Sequence, residues 1–223
     1  MAVFQLHNIS KSFGKKQILN EVSFILRTGE ILGIFGRNGC GKSTLLKMIF
    51  GTEKSDSINI SIEGKTFHPS KNIENRQIAY LPQHPFLPKN IKVRDVIPIY
   101  FQEEKKQDAL FYDTLIAKIT AKKIGELSMG QLRYFEVLLV GSLDHPFLML
   151  DEPFSMIEPL YKIEIKNFLN KIKRQKGIII TDHYYEDVLE ITSKNIIIKD
   201  GRSQNIQNKE ELRAFEYLSK NST

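Results

Sequence analysis

Gly36-Arg37-Asn38-Gly39-Cys40-Gly41-Lys42-Ser43 is the stretch on which the reading of this chain turns. It fills every fixed position of G-x-x-x-x-G-K-[ST], a loop whose backbone N–H groups cradle phosphate oxygens. Glycines let the backbone crowd an anion, and the positive end of the following helix faces it. Lys42 offers a point charge to the β- and γ-phosphates, and Ser43 offers a hydroxyl to Mg²⁺. The context fits, because the apolar run Ile31–Phe35 reads as a buried strand and Lys42–Phe50 has helix composition. Alone, the loop indicates a nucleoside triphosphate without saying which one.

A second constellation lies at residues 147–152, where four apolar residues end in Asp151 and Glu152. A buried strand that delivers Asp151 at its C-terminal end can hold the water shell of Mg²⁺. Glu152 is expected on the other side of the pleat, facing the γ-phosphate, where it would polarise the attacking water. The rest of the chain alternates in the manner of a parallel sheet. Residues 3–9 and 22–26 read as strands, as do 178–181 and 196–199, the last entering a tight turn at Asp200-Gly201. Residues 160–173 and 131–142 read as helices. Prolines 82, 85 and 88 mark a loop. Residues 90–126 read as polar and helical with a break at Pro98, and the tail as an amphipathic helix with Leu212, Phe215 and Leu218 on one face.

Composition narrows the class. The 223 residues are 41% hydrophobic and 26% charged, which suits a folded domain rather than a disordered chain. No apolar run approaches the roughly 20 residues a membrane helix needs. The N-terminus lacks a secretory pattern, so the expected location is cytoplasmic. The single cysteine, Cys40, fits a reducing compartment, and its place near a helix N-terminus and Lys42 is a setting that lowers a thiol pKa. The net charge of +6 is scattered, with only short basic stretches such as 171–176, and reads as solvated surface. Nucleic acid is not expected as a partner.

Between the two constellations lies Leu127-Ser128-Met129-Gly130-Gln131, and here the chain resembles the ABC ATPase family, whose signature reads L-S-G-G-Q. The likeness covers nearly the whole chain, and the family's other landmarks follow in order. Phe13 matches the aromatic that stacks on adenine, and Gln83 the glutamine that senses Mg²⁺ and links to a helical subdomain. Residues 155–158 match the dimer-contact loop, and His183 the histidine that bonds the γ-phosphate.

The resemblance implies an α/β fold with a P-loop NTPase core of ABC type, a mainly parallel sheet, an N-terminal antiparallel β portion and a small helical subdomain. It implies one domain over residues 1–223, with a core of 1–88 and 127–223 and the helical subdomain at 89–126. ATP and Mg²⁺ are the implied ligands. Glu152, His183, Lys42 and Gln83 would serve catalysis, and Ser43, Gln83 and Asp151 the metal. Phe13, Gly36, Asn38, Gly39, Cys40, Gly41, Lys42, Ser43 and Thr44 would hold the nucleotide, with Ser128, Gly130 and Gln131 reaching it from a second copy in a head-to-tail homodimer. The implied role is to power a membrane-spanning permease on a separate chain, with this chain peripheral on the cytoplasmic face. The alternative is a soluble ABC ATPase acting in assembly, such as iron–sulfur cluster building, or on ribosomes or nucleic acid. Two departures stand out: Met129 replaces the first signature glycine, and Glu158 replaces the aspartate of the dimer-contact loop.

Overall fold

Five consecutive buried residues leave a strand no solvent-facing side, so it must be covered on both sides. Three such strands, β3 (Ile31–Phe35), β7 (Phe147–Asp151) and β8 (Gly177–Thr181), form the middle of the sheet in the structure, a computed structural model that describes residues 1–215 and Tyr217. Around them, β9 (Lys194–Lys199), β10 (Arg202–Ile206) and β6 (Ile78–Leu81) complete six strands in the order β10-β9-β3-β8-β7-β6. Only the β9–β10 hairpin is antiparallel.

Side-chain alternation divides the core in two. Ile31, Phe35, Leu148, Leu150, Ile178 and Ile180 face one layer, which contains α5 (Met129–Gly141) and α6 (Pro159–Ile172). Leu32, Ile34, Phe147, Met149 and Ile179 face the other. That second layer holds α1 (Lys42–Phe50) and a four-stranded antiparallel sheet. The sheet runs β2-β1-β4-β5, from β1 (Val3–Phe13), β2 (Lys16–Arg27), β4 (Ser57–Ile62) and β5 (Lys65–Phe67).

The segment read as a broken helical stretch differs from expectation. α3 (Val93–Tyr100) contains Pro98 rather than stopping there, and only Ile99 and Tyr100 follow the proline before the helix ends. α4 (Glu104–Phe111) follows, but residues 112–122 are turns and bends, and Lys123 pairs with Lys92 in an isolated bridge. Asp113 accounts for part of this, since its side chain accepts from the N–H groups of Leu115 and Ile116 and competes with helical pairing. In the tail, Leu212 is buried and Phe215 packs on the first core layer, while Leu218 lies outside the described residues.

Candidate functional site

β3 ends directly in the glycine loop, and the loop ends in α1. Gly36 has φ +153°, and a Cβ there would lie 2.4 Å from Cys40 Sγ and 2.8 Å from Ile198 O, so the position admits only glycine. Gly41 caps α1, and no side chain hydrogen-bonds into the first turn, which also lacks acidic residues. The helix therefore presents its positive end to the cleft. The Lys42 ammonium is nearly buried and donates to Gly36 O at 2.6 Å.

The cleft above the loop, of about 340 Å³, is lined by Phe13, Ile18, Asn38, Gly39, Gly41, Lys42, Ser43, Thr44, Gln83, Glu152 and His183. Phe13 stands half-exposed at one end, with the Lys11 ammonium 4.7 Å from its ring centroid. Gly36 and Cys40 do not line the cleft; the Cys40 sulfur packs against Gly36 instead. Burial pushes the Cys40 thiol up, and the Lys42 charge and nearby backbone N–H groups offset only part of that. This corrects the expectation of a lowered thiol, which counted the local charges and not the packing against Gly36.

Asp151, at the end of β7, does not line the cleft and is 1% exposed. Thr181 Oγ1 donates to one carboxylate oxygen at 2.6 Å and the Tyr80 hydroxyl to the other at 3.3 Å. Burial and the Asp151 charge push the Tyr80 phenol up, so it stays a donor. Mg²⁺ takes hard oxygen ligands, usually one or two carboxylates completed by phosphate and water. The Ser43 hydroxyl, Gln83 amide oxygen and Asp151 carboxylate fit that donor set, each Asp151 oxygen keeping a lone pair free. Among the described residues no group of three or more His, Cys, Asp or Glu is placed to hold a metal ion.

Glu152 does not continue the pleat as expected. Its φ is +57°, so the chain leaves the strand in a left-handed turn, which swings the carboxylate into the cleft. Glu152 Oε1 lies 3.0 Å from His183 Nε2, and the Ser155 hydroxyl donates to Oε2 at 3.1 Å.

Two supporting residues on α5 escaped the sequence reading. Arg133 and Glu136 lie on α5, nearly and fully buried, and pair at 3.5 Å. Arg133 donates to the carbonyls of Pro82, Asp151 and Glu152, and the Phe86 N–H donates to Glu136. The pair thus ties the 82–86 loop to the end of β7. Two opposite charges three residues apart in an apolar helix were the available signal.

Ser128, Gly130 and Gln131 lie apart from the cleft. Ser128 caps α5, its hydroxyl accepting from Gln131 N while Gln131 Oε1 accepts from Ser128 N. A Cβ on Gly130 would come within 2.4 Å of the Tyr161 ring, so this glycine permits close packing of α5 on α6. Met129 and Met156 project into solvent beside them, both more than half exposed.

Residues 19–155, more than half of the chain, match the family described as ABC transporter. The chain is 28% identical over 216 residues to the lipopolysaccharide export system ATP-binding protein of Haemophilus influenzae, spanning 91% of this chain and 89% of that one. It is 30% identical over 204 residues to a probable ABC transporter ATP-binding protein of Azorhizobium caulinodans, spanning 86% and 73%. A solved ATP-binding subunit of an ABC transporter superposes with a TM-score of 0.82 at 22% identity, covering 96% of this chain and 93% of that one.

Proposed function

Since this chain belongs to the ABC transporter family of ATP-binding proteins, we propose that it hydrolyses ATP in a Mg²⁺-dependent reaction and so powers a membrane-spanning partner carried on a separate chain. The observation that carries this reading is the single cleft in which Phe13, the glycine loop, Ser43, Gln83, Glu152 and His183 converge. Phe13 stacks on adenine. The loop amides and Lys42 neutralise phosphate charge as it builds toward the leaving oxygen. Ser43, Gln83 and Asp151 would hold Mg²⁺, which when bound offsets the charge shared between the β- and γ-phosphates. Glu152 orients a water and takes its proton as the water oxygen bonds to the γ-phosphorus and the bond to the ADP oxygen breaks. His183 holds the γ-phosphate oxygens.

Ser128, Gly130 and Gln131 belong, on this reading, to the site of a second copy, since a helix N-terminus that does not line its own cleft can close another in a two-fold pair. Residues 89–126 act as a helical subdomain. The docking face for the membrane partner is residues 83–88 with the helices in 91–111, which border a groove of about 690 Å³ where Phe86, Ile99 and, across it, Ile73 expose apolar surface. The relatives include an export and an import ATP-binding protein, and ATP binding is what they share. Location on the cytoplasmic face through that partner follows from the same reading, and no helix among the described residues is long and apolar enough to cross a membrane. Phosphate release from ATP, followed with Mg²⁺ and with EDTA, tests the reading. It expects turnover only with the metal and none from Lys42→Ala, whereas Lys42→Ala at the parental rate contradicts it.

A further inference from the structure

The Glu152 carboxylate is gripped at both oxygens, by His183 at 3.0 Å and by the Ser155 hydroxyl at 3.1 Å. Both of those residues hang from one side chain. Asp182 is fully buried and accepts from Phe154 N at 2.7 Å through Oδ2, and from Tyr184 N at 3.0 Å through Oδ1. Its Oδ1 also lies 3.2 Å from Ser155 Oγ. These bonds pin residues 154–155 to residues 182–184, two loops that leave different strands, β7 and β8. We infer that Asp182 is the positioning residue for the base: it clamps the loops after β7 and β8 together, so that Ser155 and His183 meet the Glu152 carboxylate from opposite sides.

Proton counting supports this division of labour. Ser155 carries one hydroxyl proton and stands between two carboxylates. Asp182 is already served by two backbone N–H groups, so the hydroxyl proton is free to serve Glu152. The Glu152 backbone is fixed separately, with its N–H on Thr181 O at 2.7 Å and its carbonyl accepting from Arg133 at 3.2 Å. What remains to be set is the side chain, and Ser155 and His183 set it. A base held at both oxygens keeps one lone pair free on each and aims them in fixed directions, the requirement for a water that must attack in line. Asp182 is buried, does not line the cleft and acts only through its neighbours. Nothing in the sequence singles it out, because its partners are backbone groups brought together by the fold.

The inference rests on the assignment of Glu152 as base, and the experiment separates the two. Single-turnover hydrolysis and equilibrium ATP binding are measured for Asp182→Asn, Ser155→Ala, Ser155→Thr and Glu152→Gln, and for the first two combined with Glu152→Gln. Asp182→Asn is nearly isosteric but turns an amide N–H₂ against a backbone donor. Ser155→Ala leaves the Asp182 backbone bonds intact and so stands even where Asp182→Asn folds poorly. Each should slow turnover about 10- to 100-fold, the range that loss of one hydrogen bond to a charged group spans, with ATP affinity changed less than about twofold. Ser155→Thr, which keeps the hydroxyl, should recover most of the rate. Neither variant should slow Glu152→Gln further, because the group they position is already gone. Parental turnover in Ser155→Ala, or an equal further loss in the Glu152→Gln background, overturns the inference while leaving the base in place. Glu152→Gln at the parental rate removes the base and the inference with it.

Discussion

Replacing Arg133 with methionine separates architecture from chemistry in this site. The guanidinium is 6% exposed and bonds three carbonyls on two segments, those of Pro82, Asp151 and Glu152. It also pairs with Glu136, which has no exposure and accepts from the Phe86 N–H at 3.1 Å. Methionine refills much of the volume but leaves the Glu136 charge buried without a cation, which costs about 3–5 kcal/mol. The orphaned carbonyls add to this, though not as a simple sum. Against a total stability of about 5–15 kcal/mol for a domain, that is a large share. Urea unfolding with linear extrapolation measures it. The double variant Arg133→Met/Glu136→Met should recover at least about 1–2 kcal/mol of the loss, since an apolar pair leaves no stranded charge. Burial already raises the Glu136 carboxyl, and loss of Arg133 raises it further. The folded state then binds its proton more tightly than the unfolded chain, so the penalty of the single variant shrinks as pH falls from 8 toward 5. A loss below about 1 kcal/mol, or a double variant as unstable as the two single losses summed, refutes the assignment of a buried ion pair as the tie.

Other consequences are open to simpler tests. Burial brings the Lys176 ammonium down to about 8, although it donates to the carbonyls of Leu143 and His145. Between that value and the usual 10.5 the unfolded chain keeps a proton the folded chain has lost, so stability rises with pH in this window. Lys176→Met should lack the rise, on the order of 3 kcal/mol in full, and equal pH profiles in urea melts would refute it. Cys40 should react with maleimide at pH 7 at least roughly tenfold more slowly in the native protein than in urea, because its thiol is pushed up and packed against Gly36; equal rates contradict this. Phe13→Ala should weaken ATP by roughly 1–3 kcal/mol, the worth of one base–aromatic stack, and leave tripolyphosphate competition unchanged. Equal losses for both ligands would place Phe13 outside base recognition.

The sequence disclosed whatever depends on residue type at fixed spacing. The glycine loop and the apolar strands at 31–35, 147–150, 178–181 and 196–199 were legible, because a strand buried on both faces has no polar alternation to confuse it. β4, β5 and β10 were not, since Ser57–Ile62 and Arg202–Ile206 are edge or half-exposed strands with mixed polarity. The short helix at Tyr185–Ile191 was missed because seven residues give too little periodicity. Within the site, cleft-lining residues such as Lys42, Glu152 and His183 could be named from motif context. The supporting residues Arg133, Glu136 and Asp182 could not, because they act on backbone carbonyls and N–H groups from distant segments. The left-handed turn at Glu152 was equally hidden, since φ is set by what the fold requires there and glutamate gives no hint of it.

On the proposed mechanism, ATP held by one copy is closed by the α5 N-terminus of a second and cleaved with Glu152 as base. Glu152→Gln keeps the size of the side chain but removes the base, which typically costs about 10² to 10⁴ in rate, while Lys42, Ser43 and Asp151 stay intact. Light scattering behind size-exclusion chromatography measures its mass with ATP, with ADP, and with ATP after adding Ser128→Arg. The account predicts a dimer with ATP, a monomer with ADP, and a monomer that still binds ATP once Ser128 is arginine. A Glu152→Gln protein that cleaves ATP at the parental rate, or that stays monomeric at saturating ATP, contradicts it.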